Sequence, residues 1–85
     1  MSYSVKLTPA ARKQLHSLPR RFLSKIIARI TALATDPRPP GVKKLSGKLD
    51  TYRVRQGPYR ILYEIRDKEL LVIVIAVTDR KDAYR

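Results

Sequence analysis

The stretch TYRVRQGPYRILYEIRDKELLVIVIAV, residues 51–77, decides the fold. It contains three runs rich in β-branched and aromatic residues: 51–56, 59–65 and 70–77. Gly57-Pro58 separates the first two and Arg66-Asp67-Lys68-Glu69 the second two, both short enough for hairpin turns. Residues 51–77 therefore predict an antiparallel meander of three strands. Side chains alternate across a strand. Tyr52 and Val54 thus share one face with Tyr59, Ile61, Tyr63 and Ile65, while Arg53, Arg55 and Arg60 share the other. The third run is apolar on both faces, as an interior strand would be. The tyrosines keep the parity of Val54, Ile61 and Ile65, which assigns them to sheet packing rather than to base stacking.

Upstream, Tyr3-Ser4-Val5-Lys6-Leu7 alternates and predicts a first strand. Thr8-Pro9 supplies an N-cap and a first-turn proline. Ala11, Leu15 and Leu18 then form one face of a short helix ended by Pro19. A second helix is expected over 21–35, with Phe22, Ile26, Ile30 and Leu33 in one stripe, Ile27 and Ala34 beside it, and Arg21, Lys25 and Arg29 on its flank. The two helices form a hairpin. Asp36 to Gly41 is a proline-rich loop, continued by a basic connector through Lys43, Lys44 and Lys48. The expected fold is α+β, in the order β-α-α-β-β-β: one domain spanning 1–85, with the helical hairpin on a small, mainly antiparallel sheet.

Charge narrows the partners. Nineteen Lys and Arg face seven Asp and Glu, a net +12, and the first acid is Asp36. An excess of this size favours a polyanion, because each phosphate neutralised releases counterions. With no cysteine, disulfides and thiolate metal sites are excluded. The chain is expected to be cytoplasmic and not membrane-bound: no signal peptide opens it and no run of 18 apolar residues occurs. The single histidine, His16, lies off the apolar stripe and reads as a helix-surface residue. There is no Gly-rich phosphate loop and no convincing carboxylate pair, so neither a metal nor any other cofactor is expected.

Guanidinium and phenol remain. Arg53, Arg55, Arg60, Arg80 and Tyr84 are the candidates for surrounding one scissile phosphate. An arginine fork binds two phosphate oxygens and stays charged while negative charge builds on phosphorus. RNA brings its own nucleophile, the 2′-OH. Tyr84 is the titratable candidate for proton transfer. Read from the residues alone, the same face either cleaves RNA or merely binds it. Lys43, Lys44 and Lys48 are candidates for contacting RNA or the ribosome through the phosphate backbone.

Lys44-Leu45-Ser46-Gly47, Tyr52-Arg53-Val54-Arg55, Gly57-Pro58-Tyr59-Arg60-Ile61-Leu62-Tyr63-Glu64-Ile65 and Val74-Ile75-Ala76-Val77, with Arg80 and a closing Tyr84, resemble the RelE branch of the RelE/ParE toxins. The resemblance implies a ribosome-dependent, metal-independent endoribonuclease that cleaves mRNA in the ribosomal A site. It implies a site made of Arg53, Arg55, Arg60, Arg80 and Tyr84, with Arg60 on the scissile phosphate. It also implies a cognate acidic antitoxin of the RelB kind, encoded adjacently, and contacts to mRNA and 16S rRNA; operator DNA would be bound only through the antitoxin complex. Some members carry lysines at positions 53 and 55, and many show Gly-His-Arg where this chain has Thr78-Asp79-Arg80. The alternatives are a non-catalytic gyrase poison of the ParE branch and a simple RNA-binding module.

Overall fold

The meander forms where the alternation places it. In the computed structural model, which describes residues 2–45 and 50–79, its strands are β3 (Thr51–Gln56), β4 (Tyr59–Arg66) and β5 (Leu71–Asp79). Gly57 adopts φ 61° ahead of Pro58, the positive-then-negative pattern of a two-residue hairpin loop with glycine first. Between β4 and β5 runs a 3₁₀ turn, Asp67–Glu69, closed by Leu70 at φ 50°. That left-handed residue cannot extend a strand, so β5 begins at Leu71 rather than at position 70.

The N-terminal half supplies β1 (Ser4–Leu7), α1 (Pro9–His16) and α2 (Arg20–Ala32). Thr8 caps α1: its Oγ1 accepts from the Ala11 N–H at 3.1 Å, with Pro9 filling the first turn. Both helices end earlier than the apolar periodicity suggested. The Leu33, Ala34 and Thr35 amides turn back to carbonyls three residues earlier, which tightens the α2 terminus out of α geometry. The Tyr3 amide then takes the Ala34 carbonyl at 2.7 Å, tying that terminus to the start of β1.

A further strand was not legible. Lys43–Lys44, expected as connector, forms β2 antiparallel to β3, with Lys43 opposite Arg53 and Lys44 opposite Tyr52. Two adjacent lysines carry no apolar alternation; backbone pairing along the β3 edge makes the strand. The five strands run in the order β1-β5-β4-β3-β2, with β1 parallel to β5 and every other pair antiparallel.

One face of this sheet is covered by the helices. Ala11 and Leu15 from α1, Ile26 and Ile30 from α2, and Leu33 just beyond it pack on Tyr52, Val54, Tyr59, Ile61, Tyr63, Ile65, Val72, Val74 and Val77. The three tyrosines are buried, as their parity required. Tyr59 meets Phe22 edge-on at 5.2 Å, and Tyr52 stacks on Tyr63 at 6.0 Å.

The register slips once. Leu62 pairs with Ala76 and Tyr63 with Val74, so Ile75 is an extra residue in β5. The slip reverses the strand's parity: Val72 and Val74 point to the helices before it, and Val77 after it. Thr8 Oγ1 donates to the Ile75 carbonyl at 2.9 Å, and Gln14 Oε1 accepts from the Val77 amide at 2.7 Å. The α1 cap residue Thr8 and Gln14 within α1 therefore satisfy β5 backbone groups beyond the end of β1, whose last residue pairs with Val74.

Candidate functional site

Backbone register brings the meander arginines together. Arg55 stands directly opposite Arg60, Arg53 stands opposite Leu62, and Arg60 is flanked on its other side by Thr78. Directly opposed residues share a face and hold their Cβ atoms about 4.5–5.5 Å apart. Arg53, Arg55 and Arg60 thus lie on the face away from the helices, as alternation predicted. Lys43, opposite Arg53, extends the row onto β2. Like charges directly opposed across a sheet are unfavourable. An anion between Arg55 and Arg60 would turn that repulsion into attraction.

The three arginines differ in exposure. Arg55 is exposed and Arg53 half-buried, but Arg60 is 1% exposed and among the largest buried side chains. The expectation of a uniformly open basic face is therefore corrected at Arg60: the face is open over β3 and closed over that arginine. A buried guanidinium requires compensating interactions. Its place on β4, the middle strand of five, fixes the side chain between β3 and β5.

The slip at Ile75 decides what stands beside Arg60. Because parity reverses there, Thr78 falls on the arginine face and Asp79, in register with Tyr59, on the helix side. Asp79 is therefore not inserted into the arginine row. The Thr78 hydroxyl is buried and makes no hydrogen bond among the described residues.

Beyond β2, the edge of β3 is open to a crevice of about 340 Å³, lined by Arg29, Gly41, Lys43, Arg53, Val54 and Arg55. Arg29 comes from α2. Its Nε is buried and, among the described residues, has no hydrogen-bond partner. Sequence reading assigned Arg29 only to a basic flank with Arg21 and Lys25; nothing in that spacing says which of the three meets the sheet edge. Lys44 instead pairs with Asp50 at 3.7 Å. His16 is exposed at the end of α1. Lys48, Arg80 and Tyr84 lie outside the described residues.

At the opposite end of the sheet, charges are paired. Arg38 grips Asp67 with two hydrogen bonds, Nη1 to Oδ1 at 3.2 Å and Nη2 to Oδ2 at 2.9 Å, and its Nε donates to the Tyr52 hydroxyl at 3.2 Å. The Tyr3 hydroxyl donates to Asp67 Oδ1 at 2.6 Å. The Arg38 fork, and then the Tyr3 hydroxyl, hold the Asp67 carboxyl down at about 2. The Asp67 hydrogen bond in turn raises Tyr3. Burial pushes Tyr63 up to about 12, and its hydroxyl donates to the Pro37 carbonyl at 2.7 Å. Arg66 bridges Glu64 at 2.7 Å and Glu69 at 3.8 Å. Among the described residues no group of three His, Cys, Asp or Glu side chains is placed to hold a metal ion. No helix of the described residues is long and apolar enough to cross a membrane.

Comparison with known proteins places this geometry among relatives. Residues 5–84 match the family model described as ParE toxin of type II toxin–antitoxin system, parDE. Toxin RelG of Mycobacterium tuberculosis is 35% identical over 86 residues, covering 100% of this chain and 99% of RelG. A chain of the RelBE2 toxin–antitoxin complex from Mycobacterium tuberculosis superposes with TM-score 0.83 at 33% identity, covering 94% of this chain and 93% of that one. A chain of the archaeal RelE–RelB complex from Pyrococcus horikoshii does so with TM-score 0.83 at 30% identity, covering 94% and 97%.

Proposed function

The chain belongs to the ParE toxin family of type II toxin–antitoxin systems, on its RelE-like branch, and from that premise we propose that it is a ribosome-dependent mRNA endonuclease. The observation that carries the proposal is the opposition of Arg55 and Arg60 on one sheet face, with Arg53 two residues away on the same strand and face. A pair of guanidiniums facing each other has a use for a phosphate between them.

In this reading the substrate is mRNA in the ribosomal A site. The 2′-oxygen attacks the adjacent phosphorus, the bond to the 5′-oxygen breaks, and that oxygen leaves with a proton. Arg55 and Arg60, with Arg53 beside them on the same face, neutralise the charge that builds around the scissile phosphate, and no metal-bound water is required. Arg80 and Tyr84 enter through the family resemblance: Arg80 as a further phosphate contact, and Tyr84 as the group that moves the proton. A side chain that is 1% exposed touches no ligand, so Arg60 reaches the phosphate only when its face opens. Lys43, Lys44 and Lys48 meet the backbone of mRNA or 16S rRNA.

The proposed partner in the resting cell is an acidic antitoxin of the RelB kind, encoded adjacently. It binds a strongly basic toxin through charge complementarity, and the pair contacts operator DNA through the antitoxin. The proposed compartment is the cytoplasm, where ribosomes and message are found.

The test is cleavage of a short message on programmed ribosomes, mapped by primer extension, with EDTA present and Arg60→Ala as control. Cuts at the A-site codon that need the ribosome, survive EDTA and vanish in the variant are expected. An uncut message beside intact growth arrest would overturn the reading and direct attention to gyrase inhibition, the alternative on the ParE branch.

A further inference from the structure

The nuclease reading uses the face of Arg53, Arg55 and Arg60 and gives Arg29, at the edge of β3, no part. We propose that the crevice lined by Arg29, Lys43, Arg53 and Arg55 at that edge is a second phosphate subsite, holding the RNA backbone next to the scissile phosphate; this rests on the nuclease reading above.

Four observations converge. The crevice, at about 340 Å³, admits a group of many atoms, since one water occupies about 30 Å³ in the liquid. Its charged lining is entirely cationic, with no carboxylate among the lining residues. Arg29 holds a buried Nε without a hydrogen-bond partner among the described residues, which is uncommon for a buried donor. Arg53 and Arg55 are two residues apart on one strand, about 6.6 Å along its axis. That spacing is close to the phosphate repeat of an extended nucleic-acid strand, so the two arginines suit successive phosphates rather than one.

The chemistry of the lining selects the polyanion. A protein segment seated in a crevice gains most from apolar anchors, and Val54 is the one large apolar residue here. A phosphate backbone needs no such anchor, because its affinity comes from neutralisation and counterion release. Arg55 belongs to both sites. A strand that places one phosphate between Arg55 and Arg60 brings its neighbour toward Arg53, and Arg29 closes that second site from the helix side.

The experiment measures binding rather than turnover. A short single-stranded oligonucleotide with 2′-O-methyl sugars cannot be cleaved by its own 2′-oxygen, and its affinity is titrated against salt for the intact chain. Each phosphate contact to a single strand contributes about 0.7 to the slope of log affinity against log salt. Arg29→Gln is expected to lower that slope by about 0.7 and to weaken binding several-fold at low salt, with an unchanged melting temperature. Arg29→Lys, which restores the charge, is expected to restore the slope. An unchanged slope in Arg29→Gln, while the unaltered chain still cuts message on the ribosome, overturns the subsite alone. Failure of the unaltered chain to bind the oligonucleotide, while it still cuts message, likewise overturns the subsite alone, and failure to cut message overturns both readings. A loss confined to binding of an oligo-glutamate peptide would assign the crevice to an acidic protein and overturn the phosphate subsite.

Discussion

The two ends of the sheet handle charge in opposite ways. Where β3 and β5 begin and β4 ends, carboxylates answer the cations: Asp67 is held by Arg38 and Tyr3, Lys44 lies near Asp50, and Arg66 bridges Glu64 and Glu69. Where β3 ends and β4 begins, Arg55 opposes Arg60, and Arg29, Lys43 and Arg53 line the adjoining crevice. Five of the six described acids lie toward the first end; Asp79 alone is at the other, in register on the helix side. Among the described residues, the acids thus gather where chain segments are fastened, and cations predominate at the other end. Local repulsion tolerated at one place and compensated elsewhere is what a binding surface requires.

The largest effect expected from this contrast is on cleavage. Losing one preorganised donor to a developing oxyanion costs on the order of 10²–10³ in rate. Arg60→Ala should lower ribosome-dependent cleavage by at least that much, and Arg60→Lys should recover part of it. Asp67→Asn, at the paired end, should leave cleavage intact and lower the melting temperature by a few degrees. Because Arg60 is buried, melting curves must accompany the assay: a folded, inactive Arg60→Ala protein supports the division of labour. The reverse pattern, with activity lost at Asp67 and kept at Arg60, would break it.

Stability should respond in opposite directions at the two ends, and this sharpens the comparison. Replacing Arg55 with threonine removes a like-charge opposition worth roughly 0.2–1 kcal/mol. In a domain of this size that corresponds to a melting temperature higher by up to about 8 °C, with RNA binding weakened. Replacing Arg38 with methionine keeps the aliphatic stem and deletes the fork on Asp67, the bond to Tyr52 and the cation over the Tyr52 ring at 5.2 Å. Its melting temperature should fall by a few degrees. Calorimetry of both variants that shows shifts of the same sign would remove the distinction drawn here.

How much of this was legible follows from the range of the signals. Period-two alternation placed Arg53, Arg55 and Arg60 on one face, and the tyrosines on the other, because strand parity is written residue by residue. The same rule failed past Ile75, where one extra residue reverses every later side chain. That slip is held by Thr8 and Gln14, more than sixty residues earlier, and leaves no local mark. Arg38 and Asp67 are 29 residues apart and meet only because α2 returns its terminus to the start of β1. The Lys43–Lys44 strand and the role of Arg29 were equally hidden, since each depends on a neighbouring edge rather than on its own sequence. Burial of Arg60 was the opposite of what its polarity suggested, and strand position alone does not give it, since Leu62 and Glu64 on the same face of β4 stay half-buried.

The smallest expected effect is a pH dependence that belongs to the paired end alone. The Asp67 carboxyl stands near 2 in the folded chain and at 3.8 in its ordinary state. A group whose folded pKa is depressed stabilises the fold above its unfolded pKa, and that contribution fades as pH falls through the folded value. Asp67→Asn should therefore be less stable than the unaltered chain at neutral pH. The gap should narrow between about pH 4 and pH 2 and close below it. Asp67 is half exposed, so salt should shrink the gap as well. Arg55→Thr introduces no group that titrates in this window, and its difference from the unaltered chain should stay level across the same range. Thermal melts of the three proteins from pH 7 to pH 2 check both statements. A gap for Asp67→Asn that persists unchanged at pH 2 would mean that the Arg38–Asp67–Tyr3 cluster fastens the chain by shape and not by charge, and the contrast between the two ends would then lose its electrostatic basis.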